Sequence, residues 1–270
     1  KERINEPIND FYNNKSSVVF NALEQSGLRI DREEFQSRFH DVSGEYVHTQ
    51  FNFKTLTGRP SNKFGGVNYA ALNKENGDRK CFIPRNDFLF ELDIGAYHPT
   101  LLGKLVDYDF DSGDIHMAFS EMYGVDYQKA KELTFKQMYG GVFEQYKELE
   151  FFKKMTVYTD DLWARFQNEG SIECPISKHI YKKDYLEDMK PQKLLNYVLQ
   201  NLETAMNVCI LWEILRILRD KNTKLILYTF DSFLLDVDKN EKKIVEEILE
   251  VFKNKKLQIK YNYGRTYDFE

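Results

Sequence analysis

The chain has 270 residues, 42% of them hydrophobic and 30% charged, with 21 Phe and 17 Tyr. That is the composition of a folded protein with a sizeable core rather than a disordered one, and no apolar run reaches the roughly 20 residues a membrane span needs. The net charge of -5 argues weakly against a nucleic-acid binder, although a face that holds cations needs carboxylates of its own. The three scattered cysteines, Cys81, Cys174 and Cys209, exclude a disulfide framework and a CxxC zinc site and fit a reducing compartment.

The opening KERINEPINDF has no apolar segment and no Met, so neither a signal peptide nor a native start is expected; the chain reads as a fragment or a processed product. Residues 15–26 and 32–39 read as two short helices separated by Gly27 and Asp31. Residues 46–53 are extended, and the Gly- and Asn-rich TLTGRPSNKFGGVN at 55–68 is a loop. KCFIP at 80–84 and FLFELDIG at 88–95 read as strands. A mostly helical stretch runs from about 99 to 170, broken near 107–113 and 140–141. A hairpin follows at 171–183, then a long helix at 191–220. Strands at 224–230 and 232–237, a helix at 240–253 and a strand at 256–263 complete the chain. Strands segregated from a helical block predict an α+β fold rather than a doubly wound sheet. There is no internal repeat and no low-complexity linker.

Two aspartates stand out. Asp93 ends an apolar strand just before Ile94 and Gly95, and Asp231 sits between two apolar strands in YTFDSFLLDV. A carboxylate flanked by buried residues is costly unless it meets a cation or a donor. Each aspartate alone reads most simply as a turn residue. If their strands are neighbours, the two carboxylates converge on hard divalent cations, and two such ions can activate one oxygen and stabilise another. In YQKAKELTFKQMYGG at 127–141, Lys131, Phe135 and Tyr139 share one helical face. A cation followed by two aromatics suits a phosphate and a stacked base, whereas periodicity alone favours an amphipathic helix with the aromatics in the core. Asn196, Gln200, Glu203 and Asn207 form a polar stripe beside Leu195, Leu199, Leu202 and Met206, which by itself reads as a solvent face.

Together and in this order, these segments resemble the family A DNA polymerases, from about Val19 to the C-terminus. ELDIGAYHPTLL at 91–102 resembles the first catalytic motif, with Asp93 at its metal-binding aspartate, and TFDSFLLDV resembles the third motif, with Asp231 at its invariant aspartate. QKAKELTFKQMYGG resembles the fingers helix. That likeness implies Lys131 on the triphosphate, Phe135 one turn later and Tyr139 near the templating base. GDIHMAFSEMYG at 113–124 resembles the segment that brings a histidine, here His116, to the incoming phosphates. TLTGRPS resembles the TGR segment, with Arg59 at the residue that reaches the minor groove near the primer end, and VHTQFNF at 47–53 resembles the strand before it. LLNYVLQN at 194–201 resembles the helix whose Asn and Gln, here Asn196 and Gln200, contact template-primer; Asn68 is grouped with these DNA-binding residues.

The departures are specific. His98 stands where the family has a Glu that excludes the ribose 2'-hydroxyl, with Tyr97 the neighbouring candidate. Tyr127 replaces an Arg of the fingers helix, Lys129 being the nearest cation. Ser232 replaces the carboxylate after the third-motif aspartate, and Phe230 the histidine before it. The Asp-Ser pair also resembles the single-subunit phage-type RNA polymerases. NALEQSGLRIDREEF at 21–35 resembles the segment before the thumb, yet only about ten residues separate it from VHTQFNF. At about 1.5 Å rise per helical residue, several thumb helices do not fit there. No DEDD-type exonuclease pattern is present, so any such domain is expected before Lys1.

The resemblance thus implies an α+β polymerase right hand with the thumb reduced or absent. Residues 1–45 form an N-terminal helical segment, a remnant of the thumb base. An antiparallel palm sheet is built from 46–102 and 189–270, with helical fingers inserted at 103–188. The implied activity is template-directed addition of dNMP to a primer 3' end with two Mg2+ ions, for which Mn2+ can substitute. Asp93, Asp231 and the Ile94 carbonyl hold the ions, Lys131 and His116 neutralise phosphate charge, and His98, Phe135 and Tyr139 shape the nucleotide pocket. Primer-template DNA and dNTP are the implied partners, with a processivity factor or a separate exonuclease domain beside them and no membrane. The implied location is the cytoplasm, that of the host if the source is viral; a Lys- and Asn-rich, Pro-poor composition with compact motifs fits a phage. A phage-type RNA polymerase and a non-catalytic primer-template-binding module are the alternatives.

Overall fold

The computed structural model describes residues 11–52, 55–62, 68–69, 72–73, 75–110 and 113–269. Of the expected features, residues 1–10 of the N-terminal segment, Phe53, residues 63–67 of the Gly- and Asn-rich loop and residues 111–112 of the first helical break lie outside the described residues. The chain divides into two compact units, one formed by Lys1–Gly95 with Met206–Glu270 and the other by Ala96–Ala205.

After a π-helical segment at Phe11–Ser16, the first unit has α1 (Ser17–Ser26), β1 (Leu28–Arg29), α2 (Arg32–Arg38), β2 (Tyr46–Val47), β3 (Phe51–Asn52) and β4 (Ser61–Asn62). Gly27 ends α1 at φ 66. A Cβ there would meet the His48 ring at 2.6 Å, so both conformation and space call for glycine. Asp31 caps α2 by accepting from Glu34 N at 3.1 Å, and Glu33 and Glu34 in the first turn suit the helix dipole. The short strands pair antiparallel, β1 with β2 and β3 with β4. KCFIP does not form the expected strand: residues Asp78–Cys81 are a 3-10 turn after Gly77, and Phe82 makes only an isolated bridge to Ile30. Its apolar residues answer to burial rather than to sheet pairing. Cys81 and Phe82 share one buried core with Leu28, Ile30, Phe35, Leu89, Leu227 and Leu234.

The main sheet combines β5 (Phe88–Ile94) with three strands from the chain's end: β8 (Lys224–Thr229), β9 (Ser232–Val237) and β10 (Ile259–Gly264). The strand order is β10-β5-β9-β8 and every pairing is antiparallel. All six residues of β9 are buried, as a strand covered on both faces requires. Helix α8 (Lys242–Asn254) buries Ile244, Ile248, Val251 and Phe252, spaced i, i+4, i+7 and i+8. Phe252 meets Phe233 edge-on at 5.2 Å.

The second unit contains α3 (Tyr97–Leu105), α4 (Ile115–Tyr123), α5 (Tyr127–Gly140), α6 (Glu150–Glu169), the hairpin β6 (Ser171–Glu173) with β7 (Ile180–Lys182), and the start of α7 (Pro191–Ile217). Aspartate caps start two of the helices: Asp114 accepts from His116 N and Met117 N, and Asp126 from Lys129 N. Aromatic packing holds α4 to α6, with Phe119 lying 5.3 Å from Phe151 and 6.0 Å from Phe152. A second core joins Leu162 and Phe166 to Ile172, Tyr181, Leu194 and Val198.

Candidate active site

In the first unit the sheet brings the two singled-out aspartates to one end of adjacent strands. Asp93, half-buried near the end of β5, is in register with Ser232 of β9. One residue on, Ile94 N donates to Asp231 O at 2.9 Å. Asp231 is exposed and lies in the two-residue loop, Phe230–Asp231, that joins β8 to β9. Such tight loops turn by taking positive φ, which usually selects Gly, Asn or Asp; here Phe230 does so at φ 58. A bulky residue in that region costs roughly 1–3 kcal/mol and needs outside support. Asn207 on α7 supplies it, donating from Nδ2 to Phe230 O at 2.6 Å and to the Tyr228 hydroxyl at 2.9 Å. Arg59 adds to it, its guanidinium 3.9 Å from the Phe230 ring centroid.

Beneath this end lies a buried polar network absent from the sequence reading. Ser232 Oγ donates to Glu91 Oε1 at 2.9 Å. Glu91, 2% exposed, lies 3.5 Å from Arg79 Nη1, and the Arg79 guanidinium sits 4.3 Å from the Tyr267 ring centroid. Ser232 is thus tied to a carboxylate on the neighbouring strand. The signal was present: Glu91 precedes Asp93 by two in an otherwise apolar strand, hence on the same face, and a buried acid requires a partner. Farther along β9, Asp236 accepts from Arg85 N at 2.7 Å and Asn86 N at 2.9 Å, while its burial pushes the carboxyl above its ordinary range against those bonds.

Among the described residues no group of three or more His, Cys, Asp and Glu side chains is poised around a metal. Asp93 and Asp231 with a backbone carbonyl are a sparse oxygen set. That set fits Mg2+, which keeps waters and takes one or two carboxylates plus substrate phosphates, and does not fit a four-ligand zinc centre of N and S atoms.

In the second unit, α5 buries Ala130, Thr134, Gln137 and Met138. Lys131 is exposed, and Phe135 and Tyr139 are half-buried, their rings stacked at 6.0 Å and 17°. The helix therefore spends other residues on its core, and the cation–aromatic face is not consumed by packing. His116 on α4 is buried, its ring 6.4 Å from Phe135 and 5.6 Å from Tyr127. His98 on α3 bonds through Nδ1 to the Tyr139 hydroxyl and through Nε2 to Glu203 Oε2. His98, Tyr139, Phe135 and His116 thus form a connected series, with Lys131 one turn from Phe135.

The polar stripe on α7 is not a solvent face. Glu203 and Asn207 are buried, and Asn196 and Gln200 are half-buried with Gln200 Nε2 donating to Asn196 Oδ1 at 3.1 Å. Leu194, Leu195, Val198, Leu199 and Leu202 are buried as well, so the helix is enclosed on several sides: Glu203 and Asn207 lie inside the fold, while Asn196 and Gln200 keep part of their surface open. Glu203, the carboxylate behind His98, was missed for that reason. Asn68 is exposed.

No known family profile matches the chain, and no curated protein matches it in sequence. Among solved structures, the fold is similar to the POL domain of Pol1 from M. smegmatis in complex with DNA primer-template and dNTP, with a TM-score of 0.71 at 16% identity. The match covers 87% of this chain and 50% of that one, so the chain spans about half the length of that structure. The likeness is one of fold: mixed helices and antiparallel sheets arranged as in a polymerase domain. Among the described residues no helix is long and apolar enough to cross a membrane.

Proposed function

We propose that this chain is a template-directed DNA polymerase of the family A type, adding dNMP to a primer 3' end with release of pyrophosphate. The observation that carries the reading is the β5–β9 register. It sets Asp93 opposite Ser232, and just beyond it Ile94 N donates to Asp231 O in the β8–β9 loop, in a fold similar to a polymerase domain. In this reading 46–102 and 189–270 are the palm, 103–188 the fingers and 1–45 the remnant of a thumb base, the thumb itself being reduced or absent.

Asp93 and Asp231, with the Ile94 carbonyl, would hold two Mg2+, whose charge would lower the pKa of the primer 3'-hydroxyl and stabilise the leaving oxygen. The other roles belong to the chain's own side chains. Asn207 and Arg59 hold the loop that presents Asp231, and Glu91 fixes the strand at Ser232. Lys131 and His116 take phosphate charge, where a preorganised cation acts most strongly on the transition state. Phe135 and Tyr139 offer ring faces to a base, and His98, braced between Tyr139 and Glu203, bounds the sugar. Arg59, Asn68, Asn196 and Gln200 contact primer-template.

Primer extension by the chain with dNTPs and Mg2+ tests the proposal; failure to extend under any divalent cation rejects it. Ser232 after Asp231 and His98 in place of Glu support a second reading, an RNA polymerase of the single-subunit phage type, and preference for rNTPs in the same assay would select it.

A further inference from the structure

Strand β10 is an edge of the main sheet, and its two faces carry different residues. The register sets Tyr261 against Leu92 and Tyr263 against Phe90 on one face, and Lys260 against Asp93 and Asn262 against Glu91 on the other. Directly opposed residues of an antiparallel pair project from the same face with Cβ atoms about 4.5–5.5 Å apart. Lys260, Asp93 and Ser232 therefore form one row across three strands. Lys260 is exposed, and its four-carbon stem carries a compact, mobile ammonium that starts beside the carboxylate assigned to the cation.

We propose that Lys260 is the counter-ion that Asp93 exchanges for the divalent cation, so that Lys260 sets the cation concentration at which the site fills. The inference rests on the reading of Asp93 and Asp231 as the cation-holding pair. One carboxylate cannot serve both charges fully, and a fixed positive charge beside the site opposes the entry of another. A unit charge about 6 Å from a divalent ion in a water-like dielectric opposes it by roughly tenfold in affinity. Motion and salt screening of an exposed side chain bring the expected effect to about threefold to tenfold at low ionic strength. A lysine on an edge strand also guards against strand addition by another chain, but that role leaves cation affinity untouched.

The test is titration of the chain with Mn2+ at low salt, following free Mn2+ by electron paramagnetic resonance, without DNA or nucleotide. Lys260→Gln should bind Mn2+ about threefold to tenfold more tightly than the parent and Lys260→Glu more tightly still, whereas Lys260→Arg should stay within about twofold of the parent. The gap between Lys260→Gln and parent should close as NaCl is raised. Unchanged or weaker binding in both Lys260→Gln and Lys260→Glu, with binding still lost in Asp93→Asn, overturns the role of Lys260 and leaves the cation pair standing. Equal binding by the parent and Asp93→Asn overturns the cation pair itself, and this inference with it.

Discussion

Asn207 carries a load that can be weighed. It is wholly buried and gives its two amide protons to Phe230 O and the Tyr228 hydroxyl. Asn207→Ala removes both bonds, each worth about 1 kcal/mol net, and leaves the Phe230 carbonyl without this donor, at a further cost of about 1–3 kcal/mol. The sum, about 3–5 kcal/mol, falls on a loop already strained at Phe230. Tyr228→Phe removes only one of the bonds and should cost about 1 kcal/mol. Urea unfolding of parent, both single variants and the double variant separates these contributions, since the midpoint should move while the slope stays constant. The double variant should be little worse than Asn207→Ala alone, because the Tyr228 bond is already gone. A loss under about 1 kcal/mol for Asn207→Ala would show that the loop is held by something other than this amide.

Other expectations follow from the same geometry. Phe230→Gly should be more stable than Phe230→Ala by about 1 kcal/mol, since only glycine takes positive φ without penalty; the reverse order in urea unfolding would contradict the conformation of the loop. Lys131→Ala should raise the KM for dNTP and lower the rate while leaving primer-template affinity nearly unchanged, because the lost charge acts on the triphosphate; a main effect on DNA binding would place α5 against the wrong ligand. His98→Ala should raise rNTP relative to dNTP incorporation by about tenfold, or ~1.4 kcal/mol of discrimination, and Glu203→Gln should give part of that loss by freeing the imidazole. If neither variant moves the ratio, His98 is not the sugar gate. Burial pushes the Cys81 and Cys174 thiols up to about 12, above the ordinary value near 8.5. At pH 8 both should therefore resist iodoacetamide in the native protein and react once it is unfolded in urea, and rapid native alkylation would contradict their burial.

The sequence made legible what depends on local periodicity. The apolar runs of β5 and β9, the apolar stripe of α8 and the turn at Asp231 are all written in consecutive residues, and so was the cation–aromatic face of α5. KCFIP misled because an apolar run can serve a core without a partner strand, and Gly77 with Asp78 favours a turn. Glu203 and Asn207 misled because a polar stripe reads as solvent-facing unless both sides of the helix are known to be covered. Glu91 and Lys260 take their meaning from the pairing of β5 with β9 and β10, strands lying more than a hundred residues further along the chain. Register is a tertiary fact that one strand's composition does not carry.

The most direct measurement is primer extension with dNTPs and Mg2+ by the parent chain beside Asp93→Asn and Asp231→Asn, with primer-template binding measured on all three. The account predicts extension by the parent, loss of extension in both variants, and similar DNA affinity throughout, because each carboxylate serves the cations and not the duplex. Extension near the parental rate in either variant would contradict it.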